Sequence, residues 1–301
     1  MLPRLDLKVG FACNNRCRFC VQGDKRERFA PKSLAELRQS LVQGRPALEA
    51  VVFTGGEPTL RPDLLELVAL ARELGYRQIQ IQTNGRMLAY RGYLQRLVAA
   101  GATEISPALH APDAELHDAL TRAEGSFAQT VAGIRHLREL GVPVLTNSVI
   151  TRPSQTRLEP LAELLCELGV EQMQFAFVHP VGSAAAEFDA IVPRMSEMAP
   201  YLKRALAIGR SAGRRVMAEA VPYCMLDGYE QCVAEEIIPP TRVVDAEITI
   251  ADYGRYRRDE GKLKGPACAS CAYDERCEGP WREYPERHGF EEFRPVARRA
   301  G

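Results

Sequence analysis

A regular alternation of short apolar runs and amphipathic stretches fills the first 218 residues, and it restricts the chain to a parallel α/β architecture. LDLKVGF (5–11), AVVFTG (50–55), QIQIQTNG (78–85), TEISPALH (103–110), VPVLTNSVI (142–150) and EQMQFAFV (171–178) read as strands. Helical stretches lie between them. One opens on a Ser33/Glu36 capping box and runs to Gly44; the others span 63–74, 92–100, 126–140, 158–168 and about 195–212. Ser126 is the expected cap of the 126–140 helix. Four stretches halt at a glycine, Gly75, Gly101, Gly141 or Gly169, where the chain must turn left-handed to leave a helix. Parallel strands need crossover helices rather than tight turns, so six such units in a row imply a parallel sheet, barrel-like or doubly wound.

The pattern changes near residue 219. Beyond it the chain is rich in Tyr, Pro, Arg and Cys and weakly periodic. We divide the sequence into a core of residues 1–218 and a small second region, 219–301, that would need a metal staple to hold its fold. Hydrophobic residues make up 46% and charged residues 26% of the 301, which is ordinary globular usage. The formal net charge is zero, so no broad basic field would draw in a nucleic acid. Arg294, Arg298 and Arg299 read as a solvated basic tail. The start, MLPRLDLKVG, lacks a signal peptide, and no apolar run approaches the roughly 18 residues of a membrane span. A cytoplasmic location is expected, where the nine cysteines stay reduced and cysteine clusters point to metal chemistry rather than disulfides.

Two such clusters exist. CNNRCRFC puts Cys13, Cys17 and Cys20 within eight residues, just past the first strand. In a parallel sheet that is the edge where ligands bind. Three thiolates can hold three irons of a [4Fe-4S] cluster and leave the fourth open to a ligand. Structural zinc wants four ligands, and no fourth Cys or His lies close by.

The CxxxCxxC spacing, with an aromatic residue, Phe19, before the last cysteine, resembles the signature of the radical S-adenosylmethionine (SAM) superfamily. Gly55, Gly56, Glu57 and Pro58 follow the second strand, about 35 residues on, and resemble that superfamily's glycine-rich SAM-binding segment. TNG (83–85), SPALHAPDAELHDALTR (106–122) and NSVIT (147–151) are similar to its later strand ends. The resemblance covers residues 5 to about 218. It implies a partial (βα)6 barrel, a SAM-binding [4Fe-4S] cluster on Cys13, Cys17 and Cys20, and SAM contacts from Phe19, Gly55, Gly56, Glu57, Pro58, Thr83, Asn84, Ser106 and Asn147. The implied reaction is reductive cleavage of SAM to methionine and a 5′-deoxyadenosyl radical, which abstracts a substrate hydrogen. A one-electron donor of the flavodoxin or ferredoxin type is the implied partner. His110 and His179, at the ends of the fourth and sixth strands, are candidate substrate contacts, with a structural role as the alternative for each. Arg122 reads as a surface ion-pair partner, and Cys166 as a buried core thiol.

The second cluster is CASCAYDERC, with Cys268, Cys271 and Cys277. It resembles the C-terminal auxiliary-cluster region of the SPASM and Twitch subgroup. The full SPASM pattern continues to a further cysteine, where this chain has Trp281. Only five cysteines lie beyond residue 219, too few for two clusters. One auxiliary [4Fe-4S] cluster is therefore expected, with Cys224 preferred over Cys232 as fourth ligand and a zinc knuckle as the alternative. SPASM and Twitch relatives act on peptide or protein side chains, which makes that the first expectation for substrate. A motif starting at residue 13 leaves no room ahead of it for a leader-recognition domain. A small-molecule dehydrogenase, epimerase or cyclase acting on an aminosugar or cofactor precursor is the second expectation, and a non-enzymatic zinc or iron–sulfur interaction protein the third.

Overall fold

The computed structural model describes residues 2–297; Arg298 and Arg299 of the expected basic tail lie outside them. All six expected strands form: β1 Arg4–Lys8, β2 Ala50–Thr54, β3 Gln78–Thr83, β4 Glu104–Pro107, β5 Leu145–Ile150 and β6 Gln172–Phe177. Each is shorter than its apolar run; in five of them the final residues become exit loop, while β5 keeps its end at Ile150 and starts three residues late. A seventh strand, β7 Arg215–Glu219, extends the series.

These seven strands pair in chain order and all in parallel. Parallel bridges Ile105–Val144 and Ala108–Asn147 carry the pairing from β4 to β5. The free side of β1 takes β8, Thr241–Val244, again in parallel, and β9, Thr249–Ile250, closes that edge antiparallel. Little in the amino-acid pattern marks β8. It is four residues long, it follows two prolines, and its register partner for Arg4 is Thr241. The Arg4 Nε–H donates to Thr241 Oγ1 at 2.9 Å, joining residues 237 apart in the chain.

Alternation along the strands sets the two faces. Leu5 and Leu7 of β1 are fully buried against the helical layer, so Arg4, Asp6 and Lys8 fall on the opposite face. The helices answer with their own apolar stripes. Helix Leu34–Gly44 buries Leu37 and Leu41, each worth roughly 1.5–3 kcal/mol. Ser33 caps it as expected, with Glu36 reaching back to the Ser33 backbone. Helix Ser126–Glu139 differs from expectation. Its cap is Gly125, at φ 75°, and Ser126 is already helical. Asp118, on the preceding helix Ala114–Thr121, accepts from the Gly125 N–H at 2.7 Å, the Phe127 N–H at 2.8 Å and the Ser126 hydroxyl at 2.8 Å. A tertiary carboxylate does the capping that Ser126 was expected to do.

The inner face of the sheet is polar and tightly paired. Thr54 donates to Asp6 at 2.6 Å, and Gln80 donates to Glu104 at 3.1 Å. Gln174 donates to Glu219. Among the described residues no helix is long and apolar enough to cross a membrane.

Candidate active site

The N-terminal cysteines sit on a loop without regular structure, and three neighbouring strand exits hold it. The Gly56 N–H donates to Gly10 O and the Glu57 N–H to Ala12 O, both at 2.8 Å. This backbone contact is what the two glycines serve. A Cβ at Gly56 would lie 2.3 Å from Ala12 O, and one at Gly55 would lie 2.2 Å from Gly10 O. The sequence suggested that these glycines admit a ligand; in the structure their missing side chains admit the cysteine loop. On its far side the loop is pinned by Arg16 N–H to Thr121 O at 2.8 Å and Arg18 N–H to Leu120 O at 2.9 Å. The loop after β6 also reaches it, through Ser183 N–H to Cys20 O at 3.0 Å.

Glu57 is buried and organises the β2 and β3 exits. Its Oε1 accepts from the Thr59 N–H at 3.0 Å, the Thr59 hydroxyl at 2.6 Å and the Thr83 hydroxyl at 2.7 Å. Its Oε2 accepts from the Asn84 N–H at 2.6 Å. Burial pushes its pKa above the ordinary carboxylate range, and these donors pull the other way. Most of its acceptor capacity is therefore spent on the protein, and one direction of Oε2 is left for a ligand. Thr83 and Asn84 are brought to the same place. The Asn84 amide donates to Asn14 Oδ1 at 2.6 Å and lies 3.8 Å from Cys13 Sγ. Pro58 opens the 3-10 turn Pro58–Leu60.

Ser106 is buried at the end of β4, and Asn147 lies on β5 beside Ala108. The Asn147 Oδ1 is buried without a hydrogen-bond partner. An orphaned carbonyl of this kind costs about 1–3 kcal/mol, and a bound ligand would recover it.

The two candidate histidines, each open to a substrate or a structural reading, sit in different settings. His110 is 6% exposed, with its ring 4.7 Å from the Phe19 ring. Its Nδ1 accepts the Val149 N–H at 3.1 Å, and its own N–H donates to His117 Nδ1 at 3.2 Å. Burial holds its pKa well below the usual histidine value. These are the marks of a neutral packing histidine behind Phe19. His179 stacks on Trp281, ring to ring at 3.9 Å, with its Nε2 3.4 Å from Glu283. Arg122 forms the expected surface pair, with Glu187 at 2.6 Å. Cys166 is half-buried rather than buried.

In the C-terminal region Cys224, Cys268, Cys271 and Cys277 line one cavity, coated by Tyr223 and Phe290 among others. The Val296 N–H donates to Cys271 Sγ at 3.3 Å. Cys232 is not among the lining residues; it is buried near Arg210 and Glu230. Trp281 is likewise outside the cavity wall. Among the described residues no three His, Cys, Asp or Glu side chains gather as ligands of a single metal ion.

The model of the family described as "Radical SAM superfamily" matches residues 7–175, more than half of the chain. The chain belongs to the radical SAM superfamily. A probable GTP 3′,8-cyclase of Saccharolobus islandicus (strain M.14.25 / Kamchatka #1) is 33% identical over 190 residues, 62% of this chain and 61% of that protein. An AdoMet-dependent heme synthase of Nitratidesulfovibrio vulgaris is 28% identical over 187 residues, 62% of this chain and 50% of the relative. The chain thus matches at most about three-fifths of the length of these relatives. In fold, SuiB of Streptococcus suis, solved with S-adenosylmethionine, superposes with a TM-score of 0.67 at 16% identity. That likeness covers 99% of this chain and 76% of SuiB.

Radical SAM chemistry needs a [4Fe-4S] cluster and SAM, and the residues at the N-terminal loop suit both. Burial pushes the Cys13 and Cys17 thiols above their ordinary range, so they ionise only against a strong positive partner such as iron. The Asn15 N–H, 3.4 Å from Cys13 Sγ, is a donor ready for a thiolate. The orphaned Asn147 carbonyl and the spare direction of Glu57 are acceptors suited to an ammonium or hydroxyl. Sequence reasoning passed over Asn14, Asn15, Arg86 and Gln129. Asn14 and Asn15 were visible inside CNNRC, and Arg86 directly follows TNG; nothing in the sequence shows that these two segments touch.

Proposed function

We propose that this protein cleaves SAM reductively at a cluster held by Cys13, Cys17 and Cys20, and uses the radical to take a hydrogen from a peptide or protein side chain. The observation that carries the first part is the junction of the β2 and β3 exits on the cysteine loop, through Gly56, Glu57 and Asn84. When bound, the cluster supplies the electron that splits SAM into methionine and a 5′-deoxyadenosyl radical. The chain's own work is positional. The backbone bonds of Gly56 and Glu57 fix the loop against β2. Glu57, Ser106 and Asn147 present polar groups along the strand exits, where they would hold the two ends of SAM. Phe19, backed by His110, gives an apolar surface beside the last cysteine. The polar inner face of the sheet, with Asp6, Gln80, Glu104 and Gln174, suits a hydrogen-bonding substrate.

In this reading residues 219–301 form an auxiliary-cluster region, with Cys224, Cys268, Cys271 and Cys277 as ligands. A peptide substrate is favoured by the likeness to SuiB along nearly the whole chain, because SuiB has also been solved with its precursor peptide SuiA. A second reading, a small-molecule cyclase or dehydrogenase, is favoured by the sequence likeness to the GTP 3′,8-cyclase and heme synthase relatives. A flavodoxin- or ferredoxin-type protein would deliver the electron. The test is anaerobic turnover with SAM and a reductant against candidate peptides and against GTP. Deuterium moving from a labelled peptide into 5′-deoxyadenosine supports the first reading. Deuterium moving only from labelled GTP overturns it in favour of the second.

A further inference from the structure

Arg86 has no part in the proposed function, yet its side chain makes two hydrogen bonds to the cysteine loop. Its Nη1 donates to Asn14 O at 2.6 Å and to Asn15 Oδ1 at 3.0 Å. Its Nε donates to Gln129 Oε1 at 2.6 Å, on helix Ser126–Glu139. Its own backbone N–H donates to Asn84 Oδ1 at 3.1 Å, and Asn84 in turn holds Asn14. One guanidinium therefore ties the β3 exit and the Ser126–Glu139 helix to the residues between Cys13 and Cys17. Asn15, which it holds, is 3% exposed, and its N–H lies 3.4 Å from Cys13 Sγ.

All the acceptors of Arg86 are uncharged. Among the described residues no carboxylate pairs with it, so its full positive charge is left beside the loop. Arg26, which donates to Asn15 O at 3.1 Å, adds a second cation to the same stretch. Three thiolates around a reduced cluster make a negative assembly. A fixed cation near it favours the reduced state, because net charge and hydrogen bonds to sulfur set the potential of such clusters.

We infer that Arg86 is a positioning residue for the N-terminal cluster, with two separable effects. Its Nε/Nη1 fork ties Gln129 to Asn14 and Asn15, and so fixes the loop beside the Cys13 ligand. Its charge raises the reduction potential of the cluster. The inference rests on the superfamily's cluster being bound at this loop.

The test compares Arg86→Met and Arg86→Lys in the full chain after anaerobic reconstitution. Two quantities are read: iron loss to a ferrous chelator, and the midpoint potential of the EPR signal that shifts when SAM is added. The SAM response assigns that signal to the N-terminal site. Losing hydrogen bonds from a charged group implies iron loss faster by about tenfold to a hundredfold in Arg86→Met, together with a lower potential. Arg86→Lys keeps the charge and loses the fork, so iron loss should accelerate while the potential stays near that of the unaltered protein. Equal iron loss and equal potential in all three proteins would overturn the inference, as would faster loss in both variants with no change of potential in either. Arg86→Lys carries the test if Arg86→Met does not fold. An unaltered protein with no SAM-responsive signal would instead remove the cluster reading itself.

Discussion

The two cysteine sites are built from the same ligand type by opposite means. At the N-terminal loop the thiols sit among amides and charges: Asn14, Asn15, Asn84, Glu57 and Arg86. The loop is held by backbone contacts to the β2 and β6 exits and by side chains from the β3 exit, and polar atoms such as Asn147 Oδ1 remain without partners. At the C-terminal site four cysteines line a cavity coated by aromatic and proline side chains. Lys264, Asp274 and Arg294 also line it, and a buried ionic cluster lies beside Cys277. There Lys262 lies between Glu235, at 2.5 Å, and Glu278, at 3.1 Å, and Arg257 grips Glu278 at 2.9 and 3.0 Å. All four side chains are nearly buried, with 8% exposure at most. The first arrangement leaves polar groups for an exchangeable ligand. The second pairs most of its charges with one another, leaving Glu235 Oε2 and Arg257 Nη1 without partners, and lines its cavity mainly with apolar side chains. The contrast suits a reactive site in the first case and a fully ligated one in the second.

The largest expected effect breaks the comparison at its reactive side. Cys17→Ala should reduce 5′-deoxyadenosine formation below detection and remove about four irons per chain, leaving the C-terminal complement, as measured by product chromatography and iron assay. The counterpart at the closed side is milder. Cys224→Ala should lose about four irons while SAM cleavage persists, and Cys232→Ala should lose none. If Cys232→Ala alone lost iron, the ligand set would need redrawing. Burial pushes the Cys224 thiol up to about 12, so in the metal-free protein it should also be slow to alkylate near neutral pH.

The next effect is on stability. Burial lowers the His117 pKa from 6.5 to about 4, and its Nδ1 must stay unprotonated to accept the His110 N–H. The unfolded chain then binds the extra proton and the folded one does not. Stability is full above pH 6.5 and falls, by an amount of order 3 kcal/mol, as pH drops through about 4. His117→Gln should flatten this slope in urea titrations at pH 7 and pH 4.5. The smallest effect concerns the glycine contact. Gly56→Ala drives a methyl to 2.3 Å from a backbone carbonyl that has little room to yield. It should cost roughly 1–3 kcal/mol, read as a lowered midpoint in thermal melts, with a matching loss of N-terminal iron.

What the sequence reveals divides along the range of the interactions. The six strands and the capping box at Ser33 were legible because periodicity and capping are local. The cysteine spacing was legible for the same reason. The partners of Glu57 were not, since Thr83 and Asn84 lie 26 and 27 residues away and meet it only through the sheet. Strand β8 was missed because four residues after two prolines carry little pattern, and its partner is at the other end of the chain. His110 stayed open between a substrate contact and a structural role because a strand-end histidine has the same letters whether its acceptor nitrogen meets a ligand or the Val149 amide. Ser126 was misread for a related reason, since Asp118 reaches its helix from another element.

The most direct measurement is anaerobic reconstitution of the full chain, followed by dithionite and SAM, with iron, sulfide and 5′-deoxyadenosine counted in one sample. The account predicts about eight irons per chain and 5′-deoxyadenosine that disappears in Cys17→Ala. A loaded protein that forms no 5′-deoxyadenosine, or a Cys17→Ala protein that still forms it, would contradict the assignment of the N-terminal loop as the SAM-cleaving site.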